Sequence, residues 1–164
     1  MEQSEKSKKP PVFTHIKDER AHMIDVSEKD DVKREALTKG RIYLRPETLT
    51  AIFEGSVLKG NVLATARVAG ISAAKATSSL IPMCHPLPIG GINIDFTEGD
   101  EYIEATGWVK SYGKTGVEME ALTAVSVALL TVWDMVKSAE KDEFGQYPVT
   151  YIDNIHVVEK KKSA

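Results

Sequence analysis

Residues 117–139 are apolar almost all the way round a helix, which constrains the fold more tightly than any other feature of the chain. A helix with one polar face can lie on a surface, whereas this one must be covered on several sides. Its most apolar part, 121–136, is interrupted by Thr123, Ser126, Thr131 and Asp134 and falls short of the roughly 20 residues a bilayer span needs. The expectation is the central helix of a soluble protein, with no membrane partner. At 164 residues, 42% hydrophobic and 27% charged, the chain suits one core that needs neither disulfide nor structural metal.

The charge balance narrows the partners. Lysine and arginine total 21 against 24 acidic residues, a net charge of -3, so no global field draws nucleic acid or anionic lipid. The single cysteine, Cys84, excludes an intrachain disulfide and every multi-cysteine metal pattern, and fits a reducing cytoplasm. Residues 1–13, charged and without an apolar segment, read as a flexible leader, 14–158 as a single domain, and 159–164 as a charged tail.

Periodicity orders the rest. Residues 22–26 suit a strand or a loop, and 41–45 alternate as a strand. Pro46 opens a short helix that Gly55 ends. A second helix follows Gly60, with Val62, Ala66, Ala69, Ala73, Ala76 and Leu80 on one face. Ile92, Ile94 and Phe96, then Ile103, Ala105 and Val109, mark a β-hairpin. The long helix comes next, and a final strand over 149–158, apolar on both faces, is expected to be well buried. From Arg41 the order β-α-α-β-β-α-β, its two early helices taken as one connection, predicts an α+β, ferredoxin-like antiparallel sheet with helices packed on one face.

Three segments exceed what that fold demands. In residues 81–88 (I-P-M-C-H-P-L-P) three prolines stiffen the backbone around Cys84 and His85; the bland alternative is a helix stop beside a surface histidine. Their adjacency lacks metal-ligand spacing, so no metal site is expected. Residues 113–116 (G-K-T-G) offer free N–H groups and Lys114 to an anion, yet the upstream glycine spacing fails a P-loop. Glu118 and Glu120 follow at the positive end of the long helix, where dipole complementation alone is a sufficient reading. Asp134 and Lys137, spaced i, i+3, make an ordinary surface pair or, if buried, a proton-transfer pair. Glu120 and Asp134 lie fourteen positions apart, about 21 Å along one helix, too far for one small ligand on one chain. If both ends are functional, a site must combine residues from two copies, and a homo-oligomer with interfacial sites is expected.

The motifs H-M-I-D-V-S at His22, K-G-N-V-L-A-T-A-R-V-A-G-I at Lys59, I-P-M-C-H-P-L at Ile81, G-K-T-G-V-E-M-E-A-L-T-A at Gly113 and D-M-V-K at Asp134 together resemble the molybdenum cofactor biosynthesis protein C family, the cyclic pyranopterin monophosphate synthases. The resemblance spans about residues 14–158. It implies an enzyme, a phosphorus–oxygen lyase, that converts 3′,8-cyclo-7,8-dihydro-GTP to cyclic pyranopterin monophosphate and releases pyrophosphate. It also implies a homo-hexamer, a trimer of dimers with interfacial sites, linked in function to the radical GTP cyclase that makes the substrate. No cofactor is called for, and Mg²⁺ accompanying the triphosphate stays open. Asp134, Lys137 and Lys59 match catalytic positions. Met83, Cys84, His85, Met119 and Glu120 match substrate-binding positions, Arg34 matches a phosphate-contacting arginine, and Glu118 is expected to help orient the purine end. Trp133 and Val136 replace an expected tyrosine and cysteine, and the family's glycine-rich extension does not follow the last strand. A non-catalytic, nucleotide-sensing ferredoxin-like module is the competing class.

Overall fold

The structure, a computed structural model, describes residues 16–17 and 20–163; the leader, residues 1–13, lies outside the described residues. β1 (Ile16–Lys17) and β2 (Arg20–Ala21) pair as a short antiparallel ribbon, and 22–26 then run as a loop. β3 (Val32–Tyr43) is far longer than the alternation at 41–45 suggested. Its inward positions Ala36, Thr38 and Gly40 are small or polar, which hides the period, yet all three are buried with Ile42. The Thr38 hydroxyl is satisfied there by the carbonyl oxygens of Ala121 at 2.9 Å and Gly107 at 3.3 Å.

α1 (Pro46–Phe53) starts at its proline, and Gly55 follows its end at φ 72°. α2 (Val62–Lys75) is capped by Asn61, whose side-chain oxygen accepts from the Ala64 N–H at 2.9 Å. The helical face predicted to reach Leu80 breaks at Ala76, at φ -96° and ψ 4°. The buried Thr77 hydroxyl turns back onto the carbonyls of Ala73 and Ala74, a single turn α3 (Thr77–Leu80) follows, and Leu80 is left 60% exposed. β4 (Ile89–Glu98) and β5 (Tyr102–Gly113) form the predicted hairpin, α4 (Glu118–Glu140) is the long helix, and β6 (Tyr151–Ser163) closes the chain.

The four long strands make one antiparallel sheet in the order β4-β5-β3-β6, the ferredoxin-like arrangement, with α2 and α4 on one face. Ile42, Ile94 and Ile103 pack from the sheet with Val125, Leu129 and Val132 of α4 and Val62 and Ala66 of α2, while Val109 packs with Ala36, Val117 and Ala121 in a second cluster. α4 is longer than its apolar stretch, so by length and hydropathy it meets the requirement for a bilayer span; half of the apolar window is buried inside the fold, as in a core helix. Its outer side stays uncovered on this chain, where Leu130 is 57% exposed.

The last strand departs most from expectation. β6 is a sheet edge with β3 as its neighbour, so its apolar residues, Ile155 and Val158 among them, stand exposed instead of buried. Residues 159–163, read as a charged tail, continue the ladder opposite 37–33.

α2 crosses α4 at Gly70. A Cβ there would overlap Ile94 Cδ1 and stand 2.7 Å from the carbonyl oxygen of Ala124. Gly70→Ala is therefore expected to cost about 1–3 kcal/mol, as overpacking against backbone does; a urea-unfolding midpoint equal to that of the native chain would contradict this packing.

Candidate active site

The site begins with loops that other elements hold. The 81–88 loop is anchored where Ser111 Oγ donates to the Pro88 carbonyl at 2.9 Å, and the Cys84 N–H closes a turn onto Ile81 at 3.0 Å. The 113–116 loop is held by Arg34, whose Nε and Nη2 donate to the carbonyls of Gly113 and Lys114, each at 3.0 Å. Lys114 in turn donates to the Ser27 carbonyl at 2.6 Å, fastening the segment after β2 beside the same loop.

Between these loops and the first turn of α4 lies a cavity of about 250 Å³. Met83, Cys84 and His85 form one wall, Met119 and Glu120 the other, and Ile24, Val26 and Lys29 complete it. Glu120 is 96% buried, and its Oε2 has no hydrogen-bond partner among the described residues. Burial pushes its carboxyl up from the usual range, against its own backbone bond, and the neighbouring Glu118 adds to the rise. Glu118 goes the other way: burial works to raise it, but the 2.9 Å bond from Lys160 and the charges of Lys160 and Arg34 bring it down. Two carboxyls two positions apart in the first turn of α4 are thus driven in opposite directions. Cys84 is lifted by burial and then by Glu120, which keeps it a thiol and unsuited to act as a nucleophile.

The remaining predicted residues lie elsewhere on the chain. Asp134 and Lys137 do pair, at 2.7 Å, but both stand exposed on the last turns of α4. The Lys137 bond holds Asp134 down, with Lys59 assisting, and the Asp134 bond holds Lys137 above its ordinary value. On this chain the two side chains thus form the exposed surface pair of the two alternatives the spacing allows. Lys59 reaches the same turns, donating to the Asp134 carbonyl at 2.9 Å. Arg34 also lines a separate groove with Glu118, Lys160 and Lys162. One chain therefore brings Met83, Cys84, His85, Met119 and Glu120 together and leaves Lys59, Asp134 and Lys137 at the far end of α4, as the 21 Å estimate requires. Sequence reasoning missed Lys29 in the first cavity and Arg45 near Lys59. Each sits in a charged stretch whose local pattern marks neither.

The chain is a ferredoxin-like α+β protein with a carboxylate-bearing cavity at one end of its core helix and an ammonium–carboxylate pair at the other. The model of the MoaC family matches residues 23–163, and the chain belongs to that family. Relatives are similar over nearly the whole length. A protein of Methanoregula boonei is 72% identical over 150 residues, 92% of this chain and 97% of its own. One of Methanocorpusculum labreanum is 70% identical over 153 residues, 93% and 97% of the two chains, and one of Pyrococcus abyssi is 59% identical over 151 residues, 92% and 95%. Each bears the name probable cyclic pyranopterin monophosphate synthase.

The raised carboxyl of Glu120 has a thermodynamic consequence. The unfolded chain releases that proton near pH 4.3, the folded chain only at higher pH, so ionisation favours unfolding above that range. Glu120→Gln is expected to melt higher than the native chain at pH 7, with the gap closing as the pH falls below about 4. Thermal unfolding at the two pH values checks this, and a gap that is independent of pH would show Glu120 to be ionised without cost.

Proposed function

We propose that this chain is a cyclic pyranopterin monophosphate synthase: a phosphorus–oxygen lyase that rearranges 3′,8-cyclo-7,8-dihydro-GTP to a pyranopterin, closes a cyclic phosphate and releases pyrophosphate. The observation that carries the reading is the division of polar groups between the two ends of α4, which suits a long substrate with a purine-derived end and a triphosphate end. The family and the names of relatives at 59–72% identity support it.

In this reading the cavity of Met83, Cys84 and His85 takes the purine end. Glu120, whose carboxyl burial pushes up from the usual range, contacts the heterocycle, and Glu118 holds the first turn in place. Lys137, kept charged by Asp134, acts as the proton donor during ring opening. Lys59 and Arg34 neutralise the triphosphate and assist departure of pyrophosphate. The chain supplies no cofactor of its own to these steps, and Mg²⁺ arrives, where used, on the substrate's phosphates. A second copy must bring its Asp134–Lys137 end to the first copy's Glu120 end, in a homo-hexamer built as a trimer of dimers. The exposed apolar residues Val68, Leu130, Ile155 and Val158 are the surface such contacts would cover. The setting is the cytoplasm, downstream of the radical cyclase that forms the substrate.

Lys137→Ala and Asp134→Asn are expected to lower turnover by about 10²–10⁴-fold, the scale of a lost general acid. Asp134→Asn should also move the alkaline limb of its residual pH–rate profile to lower pH, because the carboxylate that raises Lys137 is gone. Pyrophosphate release from the cyclised nucleotide measures both; native turnover in either variant would remove Lys137 from the mechanism. A native chain that binds the nucleotide without releasing pyrophosphate would instead be the sensor. Mixing inactive Glu120→Ala and Asp134→Ala chains is expected to recover roughly a quarter of native activity if sites are shared between copies, whereas sites complete on one chain would recover none.

A further inference from the structure

Between α4 and β6 the chain makes a short connection, residues 141–150, that is fastened at its ends and again in its turn. At its ends Glu140, fully buried, accepts from Thr150 Oγ1 at 2.5 Å and from the Arg45 backbone N–H through both oxygens at 3.3 Å. In the turn Asp142 Oδ1 accepts from the N–H groups of Phe144 and Gln146 at 2.9 and 2.8 Å, the Asp142 N–H donates to the Gln146 carbonyl at 2.9 Å, and Gly145 supplies the left-handed backbone at φ 77°. Tyr147 comes next, before Pro148, which biases its backbone to extended conformations. These constraints fix where the Tyr147 ring lies.

The ring turns back onto α4. It meets Trp133 edge-on, with centroids 5.5 Å apart and planes at 74°, and Lys141 Nζ lies 6.0 Å from its centre. Trp133, Lys137 and Lys141 follow one another at steps of four, so they share one stripe of the helix with Lys137 in the middle. A ring that touches both neighbours of Lys137 flanks the Lys137 side chain itself. The electrostatics agree: the bond and charge of Asp134 raise Lys137 most, desolvation opposes them, and Tyr147 adds to the rise. A lysine on an open helix surface spreads over many rotamers, yet Lys137 Nζ stands 2.7 Å from Asp134 Oδ1 with 47% of its side chain exposed. The flanking ring accounts for that restriction.

We infer that Tyr147 is a positioning residue for Lys137: its ring, held between Trp133 and Lys141, blocks the rotamers that would carry the ammonium away from Asp134. The inference rests on the proton-donor role given to Lys137 above and adds the group that keeps it aimed. Its first test needs no substrate. Asp134 is held below its ordinary range chiefly by the Lys137 bond, with Lys59 the other cation acting on it. In the full-length protein carrying ¹³C-labelled aspartate, Tyr147→Ala is expected to move the Asp134 carboxyl titration, followed by NMR, to higher pH. Tyr147→Phe, which keeps the ring, should leave it at the native position. Phe144→Ala, at the exposed tip of the same loop, should not move it either, which separates the ring from a general loosening of the loop. Should Tyr147→Ala fail to fold, Tyr147→Leu fills space against Trp133 without a ring to reach Lys141, and the same upward movement is expected. In pyrophosphate release the variant that moves Asp134 should lose about tenfold in kcat with KM within about twofold of native, the order of what a fraction of an ångström of misplacement costs, and Tyr147→Phe should restore it. A native Asp134 titration in Tyr147→Ala or Tyr147→Leu, an equal movement in Tyr147→Phe or Phe144→Ala, or native kcat in a chain whose Asp134 has moved would overturn the assignment. The expected Asp134 movement in a chain that releases no pyrophosphate would uphold the hold of Tyr147 on Lys137 and overturn the reaction instead.

Discussion

A helix of 23 residues is about 35 Å long, and α4 must be covered along all of it. The sheet covers one side through β3 and β5, and α2 covers a second by close approach of small residues, Gly70 against the Ala124 carbonyl and Ala128. Everything else is arranged around that seal. Thr38 tucks its hydroxyl under Ala121, and Gly107 admits Val125 where a Cβ would stand 2.7 Å from Cγ2. The side left open carries Leu130 and is the part of the helix that a single chain cannot finish.

The same length separates the chemistry. At the N-terminal end the helix contributes Met119 and Glu120 to a cavity closed by two tethered loops. At the C-terminal end it carries Asp134, Lys137 and Glu140, with Lys59 and Arg45 brought to it by the segment around α1. The electrostatics of the two ends differ in kind. Glu120 is withdrawn from water and pushed towards its neutral form, whereas Asp134 and Lys137 hold each other charged at the surface. The two ends therefore differ chemically, a buried carboxyl lining a cavity at one and an exposed ion pair at the other.

Much of this was legible residue by residue. The strands at Ile92, Ile94 and Phe96 and at Ile103, Ala105 and Val109 alternate cleanly because large apolar residues mark their inward face, and Pro46 and Asn61 start helices through purely local chemistry. β3 was only partly legible, since Ala36, Thr38 and Gly40 face inward where α4 comes too close for anything larger. β6 misled in the opposite sense: its apolar residues signalled burial, and the chain itself places them at an edge.

The amino-acid sequence by itself determined the order of elements, the stiff loop that presents Met83, Cys84 and His85, the i, i+3 spacing of Asp134 and Lys137, and the distance that keeps the two groups apart. All of these depend on neighbours within a turn or a loop. Only the tertiary structure decided that Glu120 is buried, that Arg34 braces a loop, and that Arg45, 95 residues before Glu140, is held against it. Burial, desolvation and the meeting of charges from distant segments arise only when the sheet and helices close on one another, so no local pattern in the chain encodes them.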